Sequence, residues 1–281
     1  MDISHLNPTC VWKNFYSLTR IPRPSKKESK AVAFMERFGR ELGLETYKDA
    51  LGNIIIRKPA TPGMENRKGI ILQGHLDLVP QKNNAKVHNF EKDPIEPRIV
   101  TAEDGQDWVW ATGTTLGADN GIGVATAMAV LESKELVHGP IEALFTIDEE
   151  TGMTGARGLK PGLLQGDILL NLDSETEGEL YVGCAGGLDS TVTFKYKEDV
   201  MPEGYKACKV VVKGMRGGHS GMEINEGRGN ANKTLARVLL PVLRDLKGSL
   251  VSIEGGTLRN AIPREAEAVV AIPAENEGAL Q

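Results

Sequence analysis

The sequence predicts an α/β fold, an open sheet with packed helices, followed by a second, smaller α+β unit. Two observations predict the first part. Three apolar runs, Ile70-Ile71-Leu72, Ile141–Ile147 and Asp167–Leu172, each lead into a histidine or a carboxylate. An alanine-rich helical run, Val124–Ser133, separates the first two. A third observation predicts the second unit: beyond a glycine-rich corner at Gly183–Gly187, short strand patterns surround one amphipathic helix. The boundary is placed there, giving domains 1–187 and 188–281. With 281 residues, 40% hydrophobic and 25% charged, the chain is long enough for one large or two smaller cores.

Taken in order, Val11-Trp12 and Phe15-Tyr16 recur at helical spacing and predict a helix over 8–19. Pro22 and Pro24 break the chain, and Ser25 with Glu28 reads as a capping box. The helix it opens carries Ala31, Met35, Phe38 and Leu42 on one face and stops at Gly43. Tyr47–Lys58 reads as two strands about a turn at Leu51-Gly52-Asn53. The polar stretch after Pro80, up to Thr101, reads as a loop; His88 within it is a surface histidine, as are His5 and His138. Glycines and alanines of the helix over 121–133 allow close packing on the sheet. In the second unit, Asp189–Tyr196, Lys206–Lys213, Leu250–Glu254 and Glu267–Ile272 read as strands. Asn230–Asp245 is a helix with Leu235, Val238, Leu239 and Val242 on its apolar face.

Composition excludes several classes. A net charge of -5 without a basic cluster argues against nucleic acid as a partner. Cys10, Cys184 and Cys208 are scattered, form no Cys-x-x-Cys pair, and read as small buried residues in a reducing compartment. No apolar run is long enough to span a membrane, and the start lacks a signal-peptide pattern, so the expected setting is cytoplasmic, with no membrane partner.

The chemistry centres on Gln73–Pro80. If Ile70–Leu72 begins a buried strand, His75 and Asp77 point to one side, because strand side chains alternate. A metal-ligating histidine needs a carboxylate to fix its tautomer, and Asp77 is placed for that. Asp119 opens the alanine-rich helix, Asp148-Glu149-Glu150 follows the second apolar run, and Asp173 follows the third. Ligands of open α/β sheets lie beyond the carboxyl ends of the strands. Carboxylates converging there repel one another unless a cation neutralises them, which predicts a metal site.

The segments Leu72–Asn84, Gly113–Gly123, Asp148–Met153, Gly183–Gly187, Gly217–Gly221 and Gly255–Arg264 closely resemble the dipeptidase branch of the two-zinc metallopeptidase family that includes aminoacylase and carnosinase. The resemblance covers essentially the whole chain. It implies a two-zinc aminopeptidase-like catalytic domain with a lid domain. It also implies hydrolysis of dipeptides, with histidine as the second residue, and two divalent metal ions. These are zinc by expectation, with manganese or cobalt as alternatives for an oxygen-rich shell. Two metals about 3.5–4 Å apart can supply hydroxide and hold the carbonyl oxygen. The implied roles run residue by residue. His75 and Asp173 bind one metal, Asp119 bridges both and Glu150 binds the second. Glu149 is the general base and Asp77 orients His75. His219 stabilises the oxyanion, and Asn260, Arg264 or Arg259 contacts the substrate. An aspartate at position 173 goes with substrates that keep a free N-terminus. The bond after Asp119 is expected to be cis, and adjacent Glu149 and Glu150 require a bend after Ile147.

Relatives take another metal-binding histidine from a later segment, and no histidine follows His219 here. Both domains are therefore expected to be incomplete, in a fragment or in a genuinely short chain, with weak activity and exposed apolar edges. Rival readings are a dipeptidase or deacylase of other specificity, and a non-catalytic chain that binds metal or peptide. A homodimer through the second domain is the expected assembly.

Overall fold

A computed structural model describes residues 2–183 and 188–280. The chain divides into two compact units, Met1–Gly186 and Gly187–Gln281. The glycine-rich corner on which the sequence places a boundary lies, after Gly183, outside the described residues, as does Cys184.

The first unit opens with α1 (Thr9–Thr19), which buries Phe15 and Leu18, and α2 (Ser29–Glu41), which buries Ala31, Val32, Met35 and Phe38. Gly43, at φ 70°, closes α2. Then come β1 (Glu45–Lys48), β2 (Ile54–Lys58) and β3 (Ile70–His75). A hairpin of β4 (Pro97–Thr101) and β5 (Asp107–Ala111) follows, then α3 (Ala118–Glu132) and β6 (Ile141–Thr146). The short helices α4 (Glu149–Gly152) and α5 (Thr154–Arg157) and strand β7 (Ile168–Asn171) complete it.

The main sheet has the order β1-β2-β6-β3-β7. The strands β6, β3 and β7 are parallel, with His75 opposite Thr146 and Gln73 opposite Asn171, so their carboxyl ends lie level. Alternation along the strands supplies two apolar faces. Ile54, Ile56, Leu72, Ala143 and Phe145 meet α1, α2 and α3, while Ile55, Ile71 and Leu144 meet Leu159, Leu163 and Leu164. The α3 helix comes in close because of Gly74 on β3, where a Cβ would collide with the Asn120 side chain. At the sheet edge, Ile168, Leu169 and Leu170 of β7 are exposed.

The second unit is a three-stranded antiparallel sheet of β8 (Tyr205–Val212), β9 (Ser249–Gly255) and β10 (Ala266–Pro273), in the order β8-β10-β9. Helix α6 (Ala231–Asp245) covers one face. Its N-cap, Asn230, accepts from the Lys233 N–H at 3.1 Å. Leu235, Leu239 and Val242 pack on Ala268, Val270 and Ile272.

Five local expectations are corrected. Ser25 and Glu28 form no capping box; Glu28 precedes α2 but makes no side-chain cap bond, since both side chains are engaged elsewhere. The stretch read as a loop ends in the β4–β5 hairpin, turned at Gly105 with φ 79°. Asp189–Tyr196 is not a strand: residues 188–202 carry no regular structure, because alternation makes a strand only where an edge pairs with it. Val238 and Cys10 are exposed rather than buried. Among the described residues, no helix is long and apolar enough to cross a membrane.

Candidate metal centre

Sheet topology brings the first group of residues together. His75 is the last residue of β3, Asp173 follows β7 by two residues, and Asp119 sits in the first turn of α3. The helix is irregular there: Asp119 has ψ 115°, and the Asp119–Asn120 peptide bond is cis, as the resemblance implies. After β6 the chain bends at Asp148, in the left-handed region at φ 50°, which lets the neighbours Glu149 and Glu150 both reach the site.

His75 is 1% exposed, and its two nitrogens have different surroundings. Nδ1 lies 3.2 Å from Asp77 Oδ1. Nε2 lies 3.0 Å from Asp119 Oδ1, 3.6 Å from Asp173 Oδ1 and 3.9 Å from Glu149 Oε2. Two sets, His75 with Asp119 and Asp173 and His75 with Glu149 and Glu150, have ligand atoms within 4.8 Å of one another. Asp77 is fully buried and anchored: Oδ1 accepts from the Glu149 N–H at 3.0 Å, and Oδ2 from Ser25 Oγ at 2.8 Å and the Glu150 N–H at 3.2 Å. Those bonds fix the acidic turn and hold the carboxylate against the histidine ring.

The electrostatics match a cation site. Burial pushes the Glu150 carboxyl up to about 8, reinforced by Asp119, Glu149 and Asp77 against the lowering effect of His75. Glu149 is also raised, by burial and then by Asp173, Asp77 and Asp119. Burial alone would lower His75, but its bonds to Asp119, Asp173 and Asp77 outweigh that and raise it to about 12. Burial would raise Asp77, yet His75, the Glu149 N–H and Ser25 hold it below the usual range. Buried carboxylates that also face each other fit a divalent ion, and imidazole plus carboxylate suits zinc, manganese or cobalt.

A third acidic group, Glu28 with Asp77 and Asp148, is buried behind the site. Each of its carboxylates already accepts hydrogen bonds. Glu28 accepts from the Lys26 and Asp148 N–H groups, and Asp148 from Thr151 and Thr154. This is a supporting network, not a ligand set. Sequence reasoning missed Glu28 and Asp148 in that role, and it missed Arg23, 1% exposed, as more than a chain break.

The remaining predicted residues belong to the second unit. The segment Gly217–Gly221 runs against Asn260–Ile262: Ile262 N–H donates to Gly218 O at 2.7 Å and Ser220 N–H to Asn260 O at 2.9 Å. Gly217 and Gly218, at φ 72° and 147°, make the turn before His219. His219 Nδ1 accepts from the Gly221 and Met222 N–H groups, both at 3.1 Å, which leaves the ring proton on Nε2. Arg228 pairs with Glu223, whose Oε2 accepts from the His219 N–H at 2.6 Å. Arg264 donates to Met215 O at 3.1 Å, and Arg259 pairs with Asp189 at 2.8 Å. His219, Asn260 and Arg264 therefore share one corner of this unit, while the charge of Arg259 is matched by a carboxylate.

Residues 71–261 match the peptidase family M20/M25/M40. The cytosol non-specific dipeptidase of Escherichia coli (strain K12) is 51% identical over 280 residues, covering 100% of this chain and 57% of that protein. The crystal structure of aminoacylhistidine dipeptidase from Vibrio alginolyticus superposes with a TM-score of 0.64 at 51% identity, over 100% of this chain and 56% of that one. A Staphylococcus aureus tripeptidase shares the fold at 18% identity, with a TM-score of 0.50, 98% of this chain and 71% of that one being covered. The chain spans little more than half the length of the first two relatives.

Proposed function

The chain belongs to the peptidase family M20/M25/M40, and from that premise we propose that it carries the metal centre of a dipeptidase. One observation carries this reading: His75 presents Nε2 to Asp119, Asp173 and Glu149 while Asp77 lies 3.2 Å from Nδ1. A carboxylate on the far nitrogen fixes the tautomer that leaves Nε2 free to bind an ion.

His75 and Asp173 would hold one ion, Asp119 would be shared with a second, and Glu150 would contribute to the second ion's set. Two divalent ions, zinc first by donor chemistry, supply Lewis-acid activation of water and of the scissile carbonyl. Glu149 takes the proton from the attacking water and passes it to the leaving amine. His219, with its proton held on Nε2, donates to the oxyanion, and Asn260 with Arg264 or Arg259 binds the substrate carboxylate or carbonyl.

The substrate class is dipeptides with a free N-terminus, those ending in histidine among them. The names of the two relatives at 51% identity, one non-specific and one an aminoacylhistidine dipeptidase, support that breadth. The cytosolic relative also supports a cytoplasmic setting. The domain division at 187/188 and a homodimer through the second domain are part of the same reading; Leu250, Val251 and Ile253 of β9 offer an exposed apolar strand for such pairing.

The test is hydrolysis by the full-length protein across a panel of Xaa-His dipeptides, other dipeptides and N-acyl amino acids. Glu149→Gln should lower kcat by about 100- to 10,000-fold while metal stoichiometry stays unchanged. Turnover that survives chelation, or survives Glu149→Gln, refutes the mechanism. Preference for N-acyl amino acids moves the assignment to a deacylase.

A further inference from the structure

Arg23 heads the fully buried side chains of the protein, at 1% exposure. It lies between Pro22 and Pro24, in the crossing from α1 to α2. Among the described residues its guanidinium makes no ion pair within 4 Å; it donates to backbone carbonyls instead. Nη1 reaches Leu76 O at 2.9 Å and Asp77 O at 3.0 Å, and Nη2 reaches Gly117 O at 2.6 Å. Leu76 and Asp77 directly follow His75, and Gly117 precedes Asp119 by two residues. One planar group therefore ties the segment carrying His75 to the segment carrying Asp119.

The seat for it is built into both segments. A Cβ on Gly117 would lie 2.6 Å from Nη2, and one on Gly121 would lie 2.7 Å from the same atom. The backbone of Arg23 is fastened in return: Leu78 N–H donates to Arg23 O at 3.1 Å, and Ser25 N–H donates to Leu78 O at 3.3 Å. Stability alone does not favour this choice, because an apolar side chain of similar volume avoids the desolvation of a buried charge. Burial is the main effect on the group and lowers its pKa to about 10, against the opposing pull of Asp77, Asp119 and Glu150.

We propose that Arg23 is a positioning residue of the metal centre, its guanidinium setting the separation of the His75–Asp77 and Gly117–Asp119 segments. The inference rests on the metal-dependent reading above. Arginine is required because a fork of donors spans three carbonyls on two segments, whereas a lysine ammonium is a point donor that satisfies one side.

The experiment is titration of the chelator-stripped full-length protein with Co²⁺, following affinity and the visible ligand-field spectrum. Wild type is compared with Arg23→Lys, Arg23→Met and His75→Ala, with thermal unfolding alongside. Both Arg23 variants are expected to fold, to weaken Co²⁺ binding by about 10- to 100-fold, and to shift the spectrum; lysine is expected not to restore what methionine loses. A purely structural arginine would lower the melting temperature and leave the spectrum unchanged. A folded Arg23 variant with wild-type affinity and spectrum overturns the proposal, and so does failure of both variants to fold, which makes the residue a requirement of the fold alone. Wild-type protein that does not bind Co²⁺, or binds it equally after His75→Ala, overturns the metal reading instead.

Discussion

Replacing Asp77 with asparagine removes one charge and almost no volume, so its consequences can be worked out atom by atom. The carboxylate accepts from Glu149 N–H on Oδ1, with His75 Nδ1 beside it, and from Ser25 Oγ and Glu150 N–H on Oδ2. An asparagine oxygen placed on the Oδ2 side keeps Ser25 and Glu150. Its NH₂ then faces the Glu149 N–H, and one buried donor loses its acceptor, at about 1–3 kcal/mol. His75 must answer the NH₂ with an unprotonated Nδ1, which moves its proton to Nε2, the atom that faces Asp119 and Asp173. A protonated Nε2 cannot ligate. Asp77→Asn should therefore weaken metal binding by about 10- to 100-fold and lower stability with the metal stripped by the few kcal/mol of the orphaned N–H. Isothermal titration with Zn²⁺ and urea denaturation read the two effects separately. Zinc affinity within twofold of wild type would refute the claim that Asp77 sets the tautomer of His75.

Two further outcomes follow from the same geometry. Glu150, pushed up to about 8, and His75, raised to about 12, both bind protons more tightly folded than unfolded. Their contribution to the stability of chelator-stripped protein is complete below the ordinary values of 4.5 and 6.5. It is lost as pH rises toward the folded values, so stability should fall between pH 5 and 8; a denaturation midpoint that rises across that range contradicts the assignment. Gly74→Ala should cost about 1–3 kcal/mol by overpacking, because the new Cβ collides with Asn120 Oδ1 and meets Val124 Cγ2 at 3.4 Å. Asn120 has little room to move, being 3% exposed with Nδ2 bonded to Leu172 O at 2.8 Å, and an unchanged denaturation midpoint would show a looser approach of α3 to β3.

What was legible in the sequence was whatever a short period encodes. Apolar runs that end in His75, Glu149 and Asp173 could be placed at one sheet edge because parallel strands end level and ligands gather there. The adjacent glutamates themselves demanded the bend that Asp148 makes. Tertiary partnerships carried no such period. Nothing in the sequence singles out Arg23, since its acceptors are backbone carbonyls more than 50 residues away. Ser25 and Glu28 had the spacing of a capping box, but Asp77 claims the hydroxyl and the Asp148 N–H claims the carboxylate. The 107–111 strand was hidden because Trp108 and Trp110 alternate on an exposed hairpin rather than on a core face. Asp189–Tyr196 erred the other way: its alternation is real, yet its apolar side chains, Val192, Phe194 and Tyr196, stand exposed.

The centre also shows why supporting groups matter as much as ligands. Four acidic side chains around one imidazole cannot all ionise beside each other. With no added cation, the cluster holds together by keeping protons on Glu150 and on His75. A divalent ion must displace those protons to bind, so affinity should climb with pH over the range in which the stripped protein loses stability. The two trends have one cause, and they require that the ligands do not drift apart when the protons leave. Asp77 holds the acidic turn through two N–H groups and Arg23 holds the other segments through three carbonyls. Both anchor backbone groups, which carry no charge to lose, and this holds the ligands in place as their own charge changes.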